Sequence, residues 1–120
     1  MDFKLELIGV PVGDVDRAKA FYVDQAGFVL DHDHTVSDDI RFIQLTPPGS
    51  ACSIAIGKGL TQFAPGALDN LQVVVSDVHQ ARAELAGRGV EVSEVDVSPV
   101  GVVRVLSRSR RQPMGGAASA

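Results

Sequence analysis

The sequence predicts an α+β domain of two β-α-β-β-β units, the second lacking a normal last strand. Three observations carry this. The chain has single-domain size: 120 residues, 45% hydrophobic and 22% charged, suffice for one core and not two. It also repeats itself. "VPVGDVDRAKAFY" (10–22) aligns with "VVVSDVHQARAEL" (73–85) at a constant offset of 63, matching Val10 with Val73, Val12 with Val75, Asp14 with Asp77, Val15 with Val78, Ala18 with Ala81 and Ala20 with Ala83. Finally, each copy passes from period-two alternation to helical spacing and is followed by short β-rich runs.

The elements follow in order. Val10 and Val12, like Val73 and Val75, alternate as a half-buried strand does. Asp14 and Asp77 sit where a short carboxylate accepts hydrogen bonds from the open amides of a starting helix. The helices run as "VDRAKAFYVDQA" and "VHQARAELAGR", with Val15, Ala18, Phe21 and Tyr22 spaced for one buried face. Gly27 and Gly89 end them, since glycine takes the left-handed conformation that stops a helix. "FVLDHDHTV", "DIRFIQLT" and "ACSIAIG" read as strands of the first unit (1–57), and "TPPGS" as a tight turn between two antiparallel strands. Residues 58–67 form a linker. The second unit (68–106) continues with "VEVSEVDV" and "GVVRVL" and then runs out of strands; residues 107–120 read as a disordered tail.

Composition excludes several classes of function. The net charge is −4, but residues 1–103 hold 7 basic against 15 acidic side chains. A body that acidic is a poor nucleic-acid binder. No apolar run reaches membrane-spanning length, and "MDFKLELIG" lacks the pattern of a secretory signal, so a cytoplasmic protein without membrane contact is expected. Cys52 is the single cysteine and reads as a small buried hydrophobe.

With "VPVGDVDRAKAFYVDQAGFVL" and "LQVVVSDVHQARAELAGRGVEV", the chain resembles the vicinal oxygen chelate superfamily, the glyoxalase, bleomycin-resistance and extradiol-dioxygenase group, over residues 4 to about 103. The resemblance implies paired units curling their sheets around a small-molecule cavity, and a homodimer. In catalytic members histidine and glutamate side chains hold a divalent ion. The resemblance puts the first-strand histidine position at Leu7 and its counterpart in the second unit at Asn70, while the strand expected to offer a glutamate, "SIAIGK", has no carboxylate. Leucine cannot ligate, so a metal-independent small-molecule binder is expected, with no cofactor. The alternative is a metal-dependent lyase, isomerase or dioxygenase using His32 and His34, which lie two apart on a strand and therefore point to one face, with Asp31 and Asp33 opposite. Gln44 and Gln72 are polar residues inside apolar strands and must face water or find a partner. Gln44, Gln72 and His34 are the expected ligand contacts. No catalytic residue is assigned: no nucleophile–base pair, phosphate-cradling loop or carboxylate pair stands out.

The ending "RVLSRSRRQPMGGAASA" departs from the rest, with four arginines and no acid. The resembled family closes on a strand, an aspartate-proline-aspartate-glycine-asparagine turn and a last strand with an aromatic residue. Back-translating "VLSRSRRQPMGGAAS" and moving the frame by one base permits YFRDPDGNRWAVQL. Met114 before a glycine forces a tryptophan triplet in that frame, and Gln112–Pro113 forces asparagine or serine. The expectation is a frame displacement arising around "SPVGVV", with a genuine basic terminus as the alternative; the gene sequence decides between them.

Overall fold

The computed structural model describes residues 1–68, 71–96, 101 and 103–105. The expected strand-helix-strand-strand-strand order appears in the first half: β1 (Leu7–Gly9), α1 (Val15–Ala20), β2 (Val29–Ser37), β3 (Ile40–Thr46) and β4 (Ser53–Lys58). The sheet order is β1-β4-β3-β2, with β1 parallel to β4 and the remaining neighbours antiparallel. A second helix, α2 (Val78–Gly87), completes a small α+β fold with a mixed four-stranded sheet and two helices.

Each element has a local cause. β1 lies earlier than the Val10/Val12 alternation implied. The Val10 N–H still donates to the Ala55 carbonyl at 2.8 Å, and the pairing with β4 ends there. Val10 and Val12 remain buried in the core all the same. Asp14 caps α1 from an extended conformation, its carboxylate accepting from the Arg17 N–H at 3.0 Å. The helix then widens into a π-helical turn, Phe21–Gln25, and closes with bonds from Ala26 N–H to Phe21 O and Phe28 N–H to Tyr22 O, both 2.8 Å. Gly27, at φ +79°, makes that reversal possible. Val15, Ala18, Phe21 and Tyr22 are all buried, the face their spacing predicted.

That helix covers one side of the sheet. Ile43 and Leu45 of β3 pair with Ile56 and Ile54 of β4, and all four are buried with the helix residues in one core. Opposed residues of a ladder share a face. The other face therefore carries Leu7, Gly9, Ser53, Ala55, Gly57, Phe42, Gln44, His32 and His34.

The second half departs from expectation. Residues 71–75 form no ladder among the described residues, and Val74 is 95% exposed. Among the described residues, "VEVSEVDV" and "GVVRVL" contribute one antiparallel bridge, Val92 with Val105, supported by Ser93 N–H donating to Arg104 O at 2.9 Å. A strand needs a neighbour to take its backbone groups, and alternation in the sequence does not supply one. Asn70, Val102 and the 107–120 tail lie outside the described residues. Among the described residues, no helix is long and apolar enough to cross a membrane.

Candidate functional site

The sheet face turned away from α1, uncovered among the described residues, is built from a row of hydrogen-bonding side chains beside a floor of small ones. The sequence of β4, "SIAIGK", alternates large and small: Ile54 and Ile56 go to the core, while Ser53, Ala55 and Gly57 go to this face. Across the ladder Ala55 stands opposite Gln44 and Gly57 opposite Phe42, so larger side chains of β3 rise along a low strip. Gly9, opposite Ala55 on the other side, has open space where a side chain would be. Gly57 cannot be larger, because a Cβ there would lie 1.8 Å from the Arg41 carbonyl oxygen and its φ is +153°.

The polar row is directional. Gln44 Nε2 donates to Ser53 Oγ at 3.4 Å, the Ser53 and Thr46 hydroxyls lie 2.6 Å apart, and the Thr46 hydroxyl donates to the Asp31 carboxylate. A carboxylate only accepts, so Asp31 sets the sense of the whole chain: Gln44 to Ser53 to Thr46 to Asp31. Ser53, nearly fully buried, is thereby satisfied. Asp31 does not oppose the histidines as strict alternation required. The β2–β3 register slips between Leu30 and His32, leaving Asp31 out of the ladder and letting it reach Thr46.

His32 and His34 lie on this face, opposite Gln44 and Phe42, both exposed, with rings stacked at 5.6 Å and 24° between planes. Two imidazoles alone make an incomplete ligand set. Among the described residues no three His, Cys, Asp or Glu side chains converge to hold a metal ion. Leu7, at the first-strand position where the resembled metal enzymes carry a histidine, pairs with Ser53, so that part of the face offers an alkyl group and a hydroxyl. The donors that the described residues bring to this face do not complete a set for a divalent ion.

The opposite face carries the strong charges. Asp33 accepts from Arg41 Nε at 3.1 Å and Nη2 at 2.9 Å and from Lys19 Nζ at 2.7 Å, and Arg41 Nη1 reaches Asp16 at 2.7 Å. Arg41 and then Lys19 hold the Asp33 carboxyl well below the usual carboxylate range, and Asp33 with Asp16 raises the Arg41 guanidinium in turn. Lys19 and Asp16 come from α1, so this network fastens the helix to β2 and β3. Beside it lies a cleft of about 570 Å³ lined by Pro11, Val12, Arg41, Leu60, Phe63 and Pro65 among others.

Of the predicted site residues, Gln44, His32 and His34 share one face. Gln72 lies outside the sheet, exposed in the stretch 71–75. Ser53, Thr46 and Asp31 were not expected. The small–large alternation of "SIAIGK" was the available signal for Ser53; Asp31 had none, since a ladder slip depends on the partner strand.

No established family profile matches the chain, and neither does any curated protein sequence. Solved structures do. The chain is 33% identical to TnmS3, an antibiotic binding protein from Streptomyces sp. CB03234, over 82% of this chain and 80% of that one, with a TM-score of 0.71. A glyoxalase/bleomycin resistance protein from the same organism is also 33% identical, over 80% and 83%, with a TM-score of 0.68. A glyoxalase/bleomycin resistance protein/dioxygenase superfamily member from Sphaerobacter thermophilus DSM 20745 shares the fold at 24% identity, 87% and 86% coverage and a TM-score of 0.69.

Proposed function

Because this chain belongs to the glyoxalase/bleomycin resistance protein/dioxygenase superfamily, we propose that it binds a planar, antibiotic-like small molecule against the uncovered sheet face, without a metal. The observation carrying this reading is the Gln44–Ser53–Thr46–Asp31 relay beside the low floor of Gly9, Ala55 and Gly57. The relay uses one amide hydrogen of Gln44 and leaves its carbonyl oxygen to accept from a ligand N–H or O–H. Phe42 and His34, opposite each other, supply ring surface alongside. A mostly apolar surface with a few placed polar groups is the usual make-up of small-molecule sites. That TnmS3 is an antibiotic binding protein supports the class of ligand.

The two-unit architecture belongs to this proposal. Gln25 and Arg88, equivalent positions in the repeat, bond each other reciprocally: Arg88 Nε donates to Gln25 O at 2.7 Å, and Gln25 Nε2 donates to Arg88 O at 3.4 Å. A reciprocal contact between equivalent residues is what an axis relating two copies would place there, and it supports the two-unit reading. The homodimer and the cytoplasmic location expected from the sequence go with the same reading.

A thermal-shift screen of planar aromatic antibiotics tests it. A ligand at about a hundred times its Kd adds about 2.7 kcal/mol, a shift of several degrees. Gln44→Ala then weakens binding by roughly tenfold, the worth of one hydrogen bond. Unchanged affinity in Gln44→Ala and Phe42→Ala sinks the assignment. The stacked histidines favour the metal-dependent lyase, isomerase or dioxygenase as second reading; stoichiometric metal lost in His34→Ala would establish it.

A further inference from the structure

The cleft on the α1 side of the sheet lies where the connection 11–16 and the linker 58–67 face each other. Its volume of about 570 Å³ is within the usual size of small-molecule sites. The walls are held in place. Gly66 N–H donates to the Pro11 carbonyl at 3.2 Å, Ala67 N–H to Ala64 O at 3.0 Å, and Phe63 N–H to Thr61 Oγ1 at 3.1 Å. The linker is therefore tied to the strand–helix connection, yet it leaves its largest apolar side chain in water. Phe63 is 74% exposed, with Leu60 and Pro65 lining the same cleft. Covering that ring with a flat apolar partner would be favourable.

Charge selects the partner. Lys58, the last residue of β4, stands directly opposite Arg41 in the β3–β4 ladder, so two cations share one face. Like charges in that position repel unless acids answer both. Asp33 and Asp16 answer Arg41, and Lys19 draws on Asp33 as well. Asp14, the remaining acid of the lining, accepts from the Arg17 N–H at 3.0 Å. Among the described residues no acid pairs with Lys58. We propose that the cleft binds a small aromatic carboxylate. Its carboxylate meets the Lys58 ammonium and the Thr61 hydroxyl, and its ring lies against Leu60, Phe63 and Pro65. Thr61 Oγ1 already accepts from the Phe63 N–H, which leaves the hydroxyl hydrogen to donate. An aromatic amine would instead set a third cation beside Arg41 and Lys58.

This site is separate from the ligand face proposed above. Arg41 and Lys58 belong to the side of the sheet that α1 covers, and Gln44 and Phe42 to the other. Of the residues proposed for contact on that face, only Gly57 also lines the cleft. The chemistry differs too: Gln44 offers an acceptor oxygen there, and Lys58 offers a cation here.

Titration calorimetry of the full chain with naphthalene-2-carboxylate tests the proposal. One-to-one binding is expected, weakening as ionic strength rises. Lys58→Met, which keeps the side-chain stem without its charge, weakens it roughly fivefold, the upper worth of an exposed ion pair. Lys58→Arg retains binding. The uncharged naphthalene-2-carboxamide binds more weakly and equally well to wild type and Lys58→Met, whereas Phe63→Ala weakens acid and amide alike. Gln44→Ala, on the other face, leaves the acid's affinity unchanged, so this site and the proposed ligand face stand or fall separately. Lys58 and Phe63 are exposed, and unchanged far-ultraviolet dichroism confirms that each variant folds. Absence of binding at about 1 mM acid overturns the proposal. So does an affinity equal in wild type and Lys58→Met, or one lost in Gln44→Ala.

Discussion

The two helix-bearing stretches share local chemistry but not packing. Asp14 and Asp77 cap their helices from nearly the same backbone, φ −119° and ψ 104° against φ −141° and ψ 103°. Gly27 and Gly89 reverse the chain behind them at φ +79° and +85°. The basic residue at the equivalent position, Lys19 or Arg82, then holds the segment that follows, through Asp33 at 2.7 Å and Glu94 at 3.3 Å. Beyond that the likeness stops. α1 buries Val15 and Ala18 on a four-stranded sheet, while α2 has no buried residue and, among the described residues, the segments that follow it form a single bridge. A capped helix is specified by a dozen consecutive residues; its stability depends on apolar surface that distant strands must supply.

Core truncation separates the halves most strongly. Leu45→Ala removes a fully buried side chain between β4 and α1 and is expected to cost about 3 kcal/mol. Leu85→Ala, on α2 and only partly buried, should cost about 1 kcal/mol or less. Urea denaturation of the two variants measures the gap, and equal losses would mean that the second half is packed as firmly as the first.

Acid separates them next. The Asp33 carboxyl is held below its unfolded value, so its contribution is complete above about pH 4 and disappears as pH falls through the lower folded value. The wild-type urea midpoint therefore declines below about pH 4. Asp33→Asn is less stable at neutral pH and declines less steeply in acid. Glu94, with 91% of its side chain exposed, makes only a surface ion pair with Arg82, and Glu94→Gln should leave the urea midpoint at neutral pH unchanged. Parallel acid profiles for Asp33→Asn and wild type would show that the network does not fasten α1.

The caps compare like with like. Asp14→Ala and Asp77→Ala each remove a carboxylate from a helix start and should cost about 1 kcal/mol. Asp77→Ala should reduce the helical dichroism more, because α2 has little burial to hold it once the cap is gone. A larger loss of helical signal in Asp14→Ala would reverse the ranking of the two helices.

What could be read beforehand follows the same division. Caps, terminating glycines and the buried face Val15, Ala18, Phe21 and Tyr22 depend on neighbours within one or two turns, and all are where their spacing put them. Gln44, His32 and His34 were legible as residues of one sheet, but which face would stay uncovered depended on the side α1 chose. Asp31 was misjudged because a ladder slip is a property of two strands together. Val73 and Val75 alternate like a strand and have no ladder among the described residues, since periodicity names a candidate strand without naming its partner.

The smallest effect bears most directly on the relation between the halves. Gln25 and Arg88 stand 63 positions apart, the repeat offset, and each donates to the other's carbonyl. The contacts are exposed, so each single substitution, Gln25→Ala or Arg88→Ala, should cost only about 0.5 kcal/mol. The informative quantity is their coupling. Each truncation ends only the bond its own side chain donates, since both acceptors are backbone carbonyls. If the two residues meet on an axis between like units, losing one bond loosens the helix ends and weakens the other, and a double-mutant cycle returns an interaction energy of about 0.5 kcal/mol. Additive losses would mean that each side chain acts alone. The helix ends would then approach each other without being held, and the reciprocal geometry would give no support to a two-unit architecture.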